Sequence, residues 1–458
     1  AYTIYAVGNQ GIAYYWYNGN KYVNGTATAY GASVASGEVV GVALNLDDQE
    51  VTFYKANVSQ GAIALPVSGK DWAPAFGQGG DYNTNTVNFG ATAFTYTPPT
   101  GFLALNTSNL PEPAIKDGSA HFQTTLYTGN GTAIGSGGNA ISQSGNSTFQ
   151  PDLVWIKSRS SATEHAWTDA VRGVTKELSS NDAGADETVA EGLTTFGSAG
   201  FTVGSDGSYN TNSATYAAWQ WKANGAGSSN TDGTINTTAT SANTTAGFSL
   251  VTYVGNGTSG ATVGHGLGVV PNMIIVKNRD QADAWQVYHS SSSAAPETEY
   301  LVWNDSAAAV ANVNRWNNTA PTSSVFSLGN AVEVNTSGEN YVAYCFAEVA
   351  GYSKFGSYVG NGSTTLGPFI YTGFRPAYVF MKNTVSAGYF WWPTDSARTP
   401  ANPSTTYLLL SLAMAETVTA AANGQVNLWS NGGGAKAVTV APLACLSQNH
   451  LTSDSGGL

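Results

Sequence analysis

Three stretches of this chain follow one template, and that repetition confines the fold to copies of a single module set in series. The first copy carries Tyr127, Gly129, Asn130, Gly131 and Thr132, then Pro151 to Lys157. The second carries Tyr253, Gly255, Asn256, Gly257 and Thr258, then Pro271 to Lys277. The third carries Tyr358, Gly360, Asn361, Gly362 and Ser363, then Pro376 to Lys382. Proline and lysine stand six residues apart each time, and tyrosine leads proline by 18 residues in the two later copies. A part kept three times is expected to be scaffold, each copy closing its own hydrophobic interior and docking end to end.

With 458 residues, the chain is long enough for three or four domains with separate cores. Charged residues make up 10% of it, against roughly 25% in an average globular protein. Gly, Ser, Thr, Asn and Ala take their place, while 24 Tyr, 17 Phe and 12 Trp supply enough apolar surface to order the backbone. The net charge of −12, with no basic stripe, argues against a nucleic-acid partner and against anionic membranes. The most apolar run, Tyr407 to Ala415, is too short to span a bilayer, so membrane insertion is not expected. Ala1 is not a start methionine, so the numbering is expected to begin inside a processed or longer chain.

Strand signals dominate. Glu38 to Leu46 and Val51 to Tyr54 are short apolar or alternating runs joined by an Asp47-Asp48-Gln49-Glu50 hairpin turn. Further strands are expected at Trp72 to Phe76 and Val87 to Phe89, together forming an antiparallel sandwich over 1–110. Repeat modules follow at 120–225, 247–350 and 352–440, and an irregular tail fills 441–458. A Gly/Ser/Thr/Asn-rich run, 226–246, reads as a flexible or extended connector between the first two modules. Each Tyr-x-Gly-Asn-Gly segment reads as a strand entering a tight turn, its Asn-Gly supplying positive φ angles. Each Pro-to-Lys segment reads as a strand buried on both faces. The first two copies close with Tyr216 to Trp221 and Tyr341 to Phe346; the third shows no clear equivalent. One helix is expected over Tyr407 to Ala422.

The first hundred residues resemble a SPRY domain, a β-sandwich used for binding, through Gly37 to Leu46, Val51 to Lys55, Pro74-Ala75-Phe76 and Val87 to Gly90. That family usually places Asn-Gly where this chain has Ala56-Asn57. The repeats resemble modules found behind SPRY-like domains in bacteriophage tail-fibre and virion structural proteins. Tyr253 to Thr258, His265 to Gly268, Pro271 to Arg279 and Tyr341 to Glu348 carry that likeness. The resemblance implies an all-β, non-enzymatic virion component, a tail fibre or appendage. It would be homotrimeric, contact other virion proteins, and bind host-surface glycan or protein. A capsid decoration or tail accessory role is the runner-up, and a polysaccharide depolymerase a third reading.

Gly255 to Gly260 lacks the Gly-Lys-Ser/Thr ending of a phosphate loop and reads as a turn. His121, His165, His265, His289 and His450 show no metal-ligand spacing, and neither a metal nor a cofactor is expected. Asp182, Asp186, Glu187 and Glu191 read as a solvated acidic loop, not a glycosidase pair. Asp169-x-x-Arg172 recurs as Asp395-x-x-Arg398 and reads as a loop-anchoring ion pair. No Gly-x-Ser-x-Gly elbow supports a triad. Cys345 sits in an apolar strand and reads as an inert core thiol; with Cys445 it forms no disulfide framework. Aromatic runs are the best ligand lead, because sugars stack on flat apolar faces. Consecutive aromatics at Tyr14 to Tyr17 and Tyr389 to Trp392 must alternate across a strand, turning some away from their core. Tyr15, Trp16, Tyr389, Trp391 and Trp392 are the candidate ligand residues, with core or interface packing the preferred competing role.

Overall fold

The structure is a computed structural model describing residues 11–66, 72, 74, 86–109, 113–360, 370, 372–400, 406–418 and 435–440. It is all-β: an N-terminal sandwich followed by three tandem sandwich-like repeats, forming two compact units that part between Glu112 and Pro113.

In the first unit, Ile12–Tyr15, Asn20–Val23 and Thr26–Ala29 form one antiparallel sheet, and Val40–Asn45, Glu50–Lys55 and Val58–Ala64 form another. The hairpin expected at Asp47 is present, with Asn45 paired to Glu50. Tyr14, Tyr30 and Phe53 join the sheets, their ring centroids 5.3–6.2 Å apart. Where the SPRY family usually has Asn-Gly, Ala56 and Asn57 both take positive φ (45° and 68°) and close a two-residue turn between Lys55 and Val58. Such a turn demands left-handed backbone from both residues, so Ala56 carries strain that glycine would not. Val87 to Phe89 is not a strand. Asn88 Oδ1 accepts from the amides of Gly90 and Thr92, a local bond that competes with sheet pairing. Most of Trp72 to Phe76 lies outside the described residues.

In the second unit each repeat builds its main sheet from four equivalent strands. In the first repeat these are Phe122–Thr128, Thr215–Trp221, Leu153–Ser158 and Ala166–Asp169, in that spatial order. Phe248–Val254, Asn340–Phe346, Met273–Asn278 and Gln286–His289 repeat the order in the second. Lys354–Val359, Ala435–Val440, Tyr378–Asn383 and Trp392–Asp395 repeat it in the third. The third repeat therefore has its closing strand. It went unseen in the sequence because it carries no aromatic pair. The tail 441–458 lies outside the described residues, as do Cys445 and His450.

Strand alternation places two cores on the two faces of the first two main sheets. Val154, Ile156, Tyr216 and Ala218 face a private core under the small sheet of Asn139–Ser142, Leu193–Gly197 and Gly200–Val203. In the second repeat, Ile274, Val276, Tyr341, Ala343 and Cys345 do the same under Ala261–Gly264 and Val325–Leu328. The other face of every sheet enters one shared core, to which Trp155, Trp167, Trp219, Trp285, Trp303, Tyr344, Phe380 and Trp391 contribute. The Pro-to-Lys strands of the first two repeats are thus buried at all six positions. The expected end-to-end docking is corrected here: the repeats are arranged around a common interior, because each sheet has a second apolar face to cover.

Two further expectations change. The 226–246 run is not a plain connector, since Thr237–Asn243 is the edge strand of the second repeat's main sheet, and Thr237 and Ser241 are buried. Small polar residues suffice there because the backbone ladder to Phe248–Val254 holds the strand and the buried hydroxyls of Thr237, Thr240 and Ser241 are hydrogen-bonded. The expected helix over Tyr407 to Ala422 is replaced by a short Thr406–Tyr407 to Thr417–Val418 pairing, and 419–422 lies outside the described residues.

Candidate functional site

The most elaborately built region is the junction between repeats, where one position is used three times. The residue immediately preceding the fourth main-sheet strand is His165 in the first repeat, Trp285 in the second and Trp391 in the third. All three rings are fully buried and reach into another repeat. Trp285 Nε1 donates to the Ser179 and Asp182 carbonyls of the first repeat, at 3.3 and 3.1 Å. Trp391 Nε1 donates to Val302 O of the second at 2.8 Å. His165 Nε2 meets Leu412 O of the third at 3.1 Å. Second wedges into first, third into second and first into third, so the ring closes. The backbone repeats the motif: Ser180 N bonds His165 O, Trp303 N bonds Trp285 O, and Leu410 N bonds Trp391 O at 3.0–3.1 Å.

Charge reinforces two of the three junctions. Asp186 accepts from its own repeat's Arg172 at 3.2 Å and from Arg279 of the second repeat at 2.8 Å. Glu416 accepts from Arg398 of the third repeat at 3.0 Å and from Arg159 of the first at 2.7 Å. At the remaining junction Ala309 and Thr384 occupy these places, where no carboxylate–arginine pair can form, and the backbone bond is kept: Ala309 N to Thr384 O at 2.9 Å, matching Asp186 N to Arg279 O and Glu416 N to Arg159 O at 2.7 Å. Beneath the clamps, Arg172 pairs with Asp169 at 2.6 Å and Arg398 with Asp395, while Tyr344 Oη and Trp219 Nε1 donate to those aspartates from neighbouring repeats at 2.7 and 3.2 Å. Burial works against charge on Arg172, but Asp169, Tyr344 and Asp186 outweigh it and the guanidinium pKa is raised. The acidic run read as a solvated loop is therefore corrected at two places. Asp186 is clamped between arginines, and Glu191 accepts from the amides of Ile134 and Ser205 at 2.9 Å.

The repeated lysine is equally internal. Lys157, Lys277 and Lys382 are buried, and each Nζ donates to the next residue's carbonyl at 2.8, 2.6 and 3.1 Å and to another carbonyl of the following loop. Burial lowers all three pKa values to about 8. The Gly-Asn-Gly turn of the first two repeats takes positive φ at its second glycine and not at its asparagine. Gly131 and Gly257 take positive φ (67° and 70°), while the amides of Asn130 and Asn256 donate to Asn210 and Asn335 Oδ1 at 2.8 and 2.9 Å. A Cβ on Gly129 or Gly255 would stand 2.2 Å from the Thr211 or Thr336 carbonyl, which explains the first glycine. Cys345 is buried, and burial raises its thiol to about 12, as an inert core residue requires. Among the described residues no group of His, Cys, Asp and Glu is placed to hold a metal.

The aromatic ligand candidates separate. Trp391 is a wedge with no free face, which corrects its reading as a ligand residue: its ring packs on Trp303 with centroids 4.8 Å apart. Trp392 is half-buried and stacked on Tyr407 at 4.5 Å. Tyr389 stays 36% exposed. In the first unit alternation turns Tyr14 inward and Tyr15 outward, and Tyr15 gathers Tyr17 and Tyr22 at 6.0–6.2 Å, with half-buried Trp16 adjacent in the chain and Tyr17 76% exposed. A groove of ≈ 210 Å³ between the first and third repeats, lined by Asp117, Ser119, Gln123, Asn146, Ser396 and Ala397 among others, has no counterpart among the sequence expectations. Its residues come from four separate stretches, and no local pattern signals them. Asp117 accepts from Ser119 and Ser147, and Gln123 bonds Ser119, Gly145 and Ser147, so these polar groups of the wall are already partnered within the first repeat.

A family profile described as a domain of unknown function (DUF7483) matches residues 117–441, and the chain belongs to that family. A SPRY domain profile matches residues 6–92. No curated protein and no solved structure matches the chain.

Proposed function

We propose that this DUF7483-family chain, with its SPRY domain, is a non-enzymatic virion structural protein, a bacteriophage tail fibre or similar appendage. It displays binding surfaces to host-surface glycan or protein. The observation that carries the reading is the closed ring of wedges from His165, Trp285 and Trp391. It commits the repeated side chains to rigidity and leaves display to the outer surfaces. The few charges act in the same direction, with Asp186 and Glu416 spent on clamps between repeats. Tyr15, Trp16 and Tyr17 on the SPRY domain, and Tyr389 on the third repeat, are the aromatic contacts offered to a partner. In the particle, homotrimers beside other virion proteins are the assembly this reading calls for.

Purified protein applied to a glycan array and to whole cells tests the adhesive role, and binding weakened by Tyr17→Ala is the expected result. Absence of binding to every host fraction removes that role. Imaging labelled protein on particles tests the position. Label on the capsid face instead of a distal appendage replaces the fibre reading with a decoration one, and sugar release from host capsule replaces both with a depolymerase.

A further inference from the structure

The edges of the first two main sheets are finished differently. In the second repeat the outermost main-sheet strand, Phe248–Val254, is covered by Thr237–Asn243, with Phe248, Ser249 and Leu250 paired to Asn243, Ala242 and Ser241. The matching strand of the first repeat is Phe122–Thr128. Phe122 pairs with Trp221 as Phe248 pairs with Phe346, so Phe122, Gln123 and Thr124 occupy the places of Phe248, Ser249 and Leu250. Among the described residues no strand pairs with the outer side of Phe122–Thr128, and its sheet ends there. The segment before it does not fold back as a hairpin. It forms a short 3-10 turn over Gly118–Ala120 and sends Ile115 into a small cluster with Ala246 and Tyr352.

The ≈ 210 Å³ groove lies across this open edge. Phe122, Gln123 and Thr124 form part of its lining; Gly145 and Asn146 line it from the loop after Asn139–Ser142, and Ser396 and Ala397 from the third repeat. An unpaired sheet edge with residues of two other segments beside it matches the requirements for strand addition, in which backbone bonds give affinity and small pockets take alternate side chains.

We propose that the Phe122–Thr128 edge is a docking site for an extended peptide, added as an antiparallel strand in the place that Thr237–Asn243 fills in the second repeat. The chemistry of the occupant follows from that internal example: Thr-Thr-Ala-Thr-Ser-Ala-Asn is uncharged, small and polar. The groove suits the same class, because the one carboxylate named on its wall, Asp117, is already bonded to two serines. The inference stands on the sheet edges alone and is independent of a virion role.

The test uses the full chain and a fluorescent synthetic peptide of the sequence of residues 237–243, with anisotropy to measure binding and hydrogen exchange to locate it. Saturable binding is expected, with new amide protection over 122–128. Asn146→Trp, which fills the groove from an exposed loop position, should weaken it at least about tenfold, a loss of about 1.4 kcal/mol. A peptide N-methylated at alternate amides should fail to bind, since its strand donors are gone. No binding at millimolar peptide overturns the proposal. So does binding that Asn146→Trp leaves unchanged, or protection confined to 248–254, which would mean that the peptide displaces the resident strand instead.

Discussion

Trp285 Nε1 donates to the carbonyl oxygen of Asp182 at 3.1 Å, joining two residues 103 positions apart in the chain. The bond secures one wedge of a closed ring, and removing a wedge opens a cavity in the shared core as well as breaking a bond. Trp391→Ala is expected to destabilise the second unit by about 3–5 kcal/mol, and Trp285→Phe, which keeps most of the volume, by about 1–3. Denaturant midpoints measured by tryptophan fluorescence and by circular dichroism decide this. Equal midpoints for wild type and Trp391→Ala would contradict the shared core.

The Arg172–Asp186–Arg279 clamp should behave as one unit. Asp186→Ala removes the acceptor from two arginines and is expected to cost about 3 kcal/mol. Arg279→Thr, which copies the uncharged junction, should add little once Asp186 is gone. A double-mutant cycle should return a coupling of about 1 kcal/mol or more. Strict additivity would show that the two side chains do not interact.

Acid should loosen the first and third repeats together. Trp155 Nε1 donates to His165 Nδ1 at 3.2 Å, which leaves Nε2 to carry the proton toward Leu412 O. Burial, then the positive charge of Lys157, lowers the His165 pKa well below its ordinary value, with the Leu412 and Leu409 carbonyls opposing. The unfolded chain therefore binds this proton first. The stability that His165 contributes is complete above pH ~6.5 and is lost as pH falls from there toward the folded pKa. His121 and His265, both lowered mainly by burial, act in the same direction. His165→Gln should flatten the acid limb of a plot of melting temperature against pH, and an unchanged limb would refute the assignment.

Mild alkali should do the opposite. With Lys157, Lys277 and Lys382 lowered to about 8 in the folded protein and ~10.4 when unfolded, the unfolded state holds more protons across that window. Stability should rise with pH from about 8, by on the order of 1 kcal/mol per lysine per pH unit. It should fall again above ~10, because tyrosines such as Tyr127 and Tyr253, raised by burial, ionise first when unfolded. A Lys277→Met chain should show a shallower rise, at the cost of leaving the Asn278 and Gln281 carbonyls without their donor.

The SPRY domain holds a correctable strain. Ala56 sits at φ 45° in the Lys55–Val58 turn. Ala56→Gly should stabilise that domain by up to about 1 kcal/mol, relief of the left-handed cost outweighing the added freedom of the unfolded chain. Calorimetry of the variant checks it. A lower melting temperature would mean that the turn tolerates alanine without strain.

Much of the scaffold is written locally. The Tyr-x-Gly-Asn-Gly and Pro-to-Lys segments announce three copies, the unbroken apolar run in Leu153 to Ile156 announces a strand covered on both faces, and Asp47 to Glu50 announces a hairpin, because turn chemistry and strand period act over a few residues. What covers the second face of each sheet is not local. That His165, Trp285 and Trp391 hold equivalent wedges, that Asp186 finds Arg279, and that the plain run Thr237 to Asn243 completes a sheet all depend on partners elsewhere in the chain. Trp391 looked like a ligand surface for the same reason. An aromatic run reports how much apolar area a segment carries, and only the packing of the three repeats decides which of those rings water can still reach.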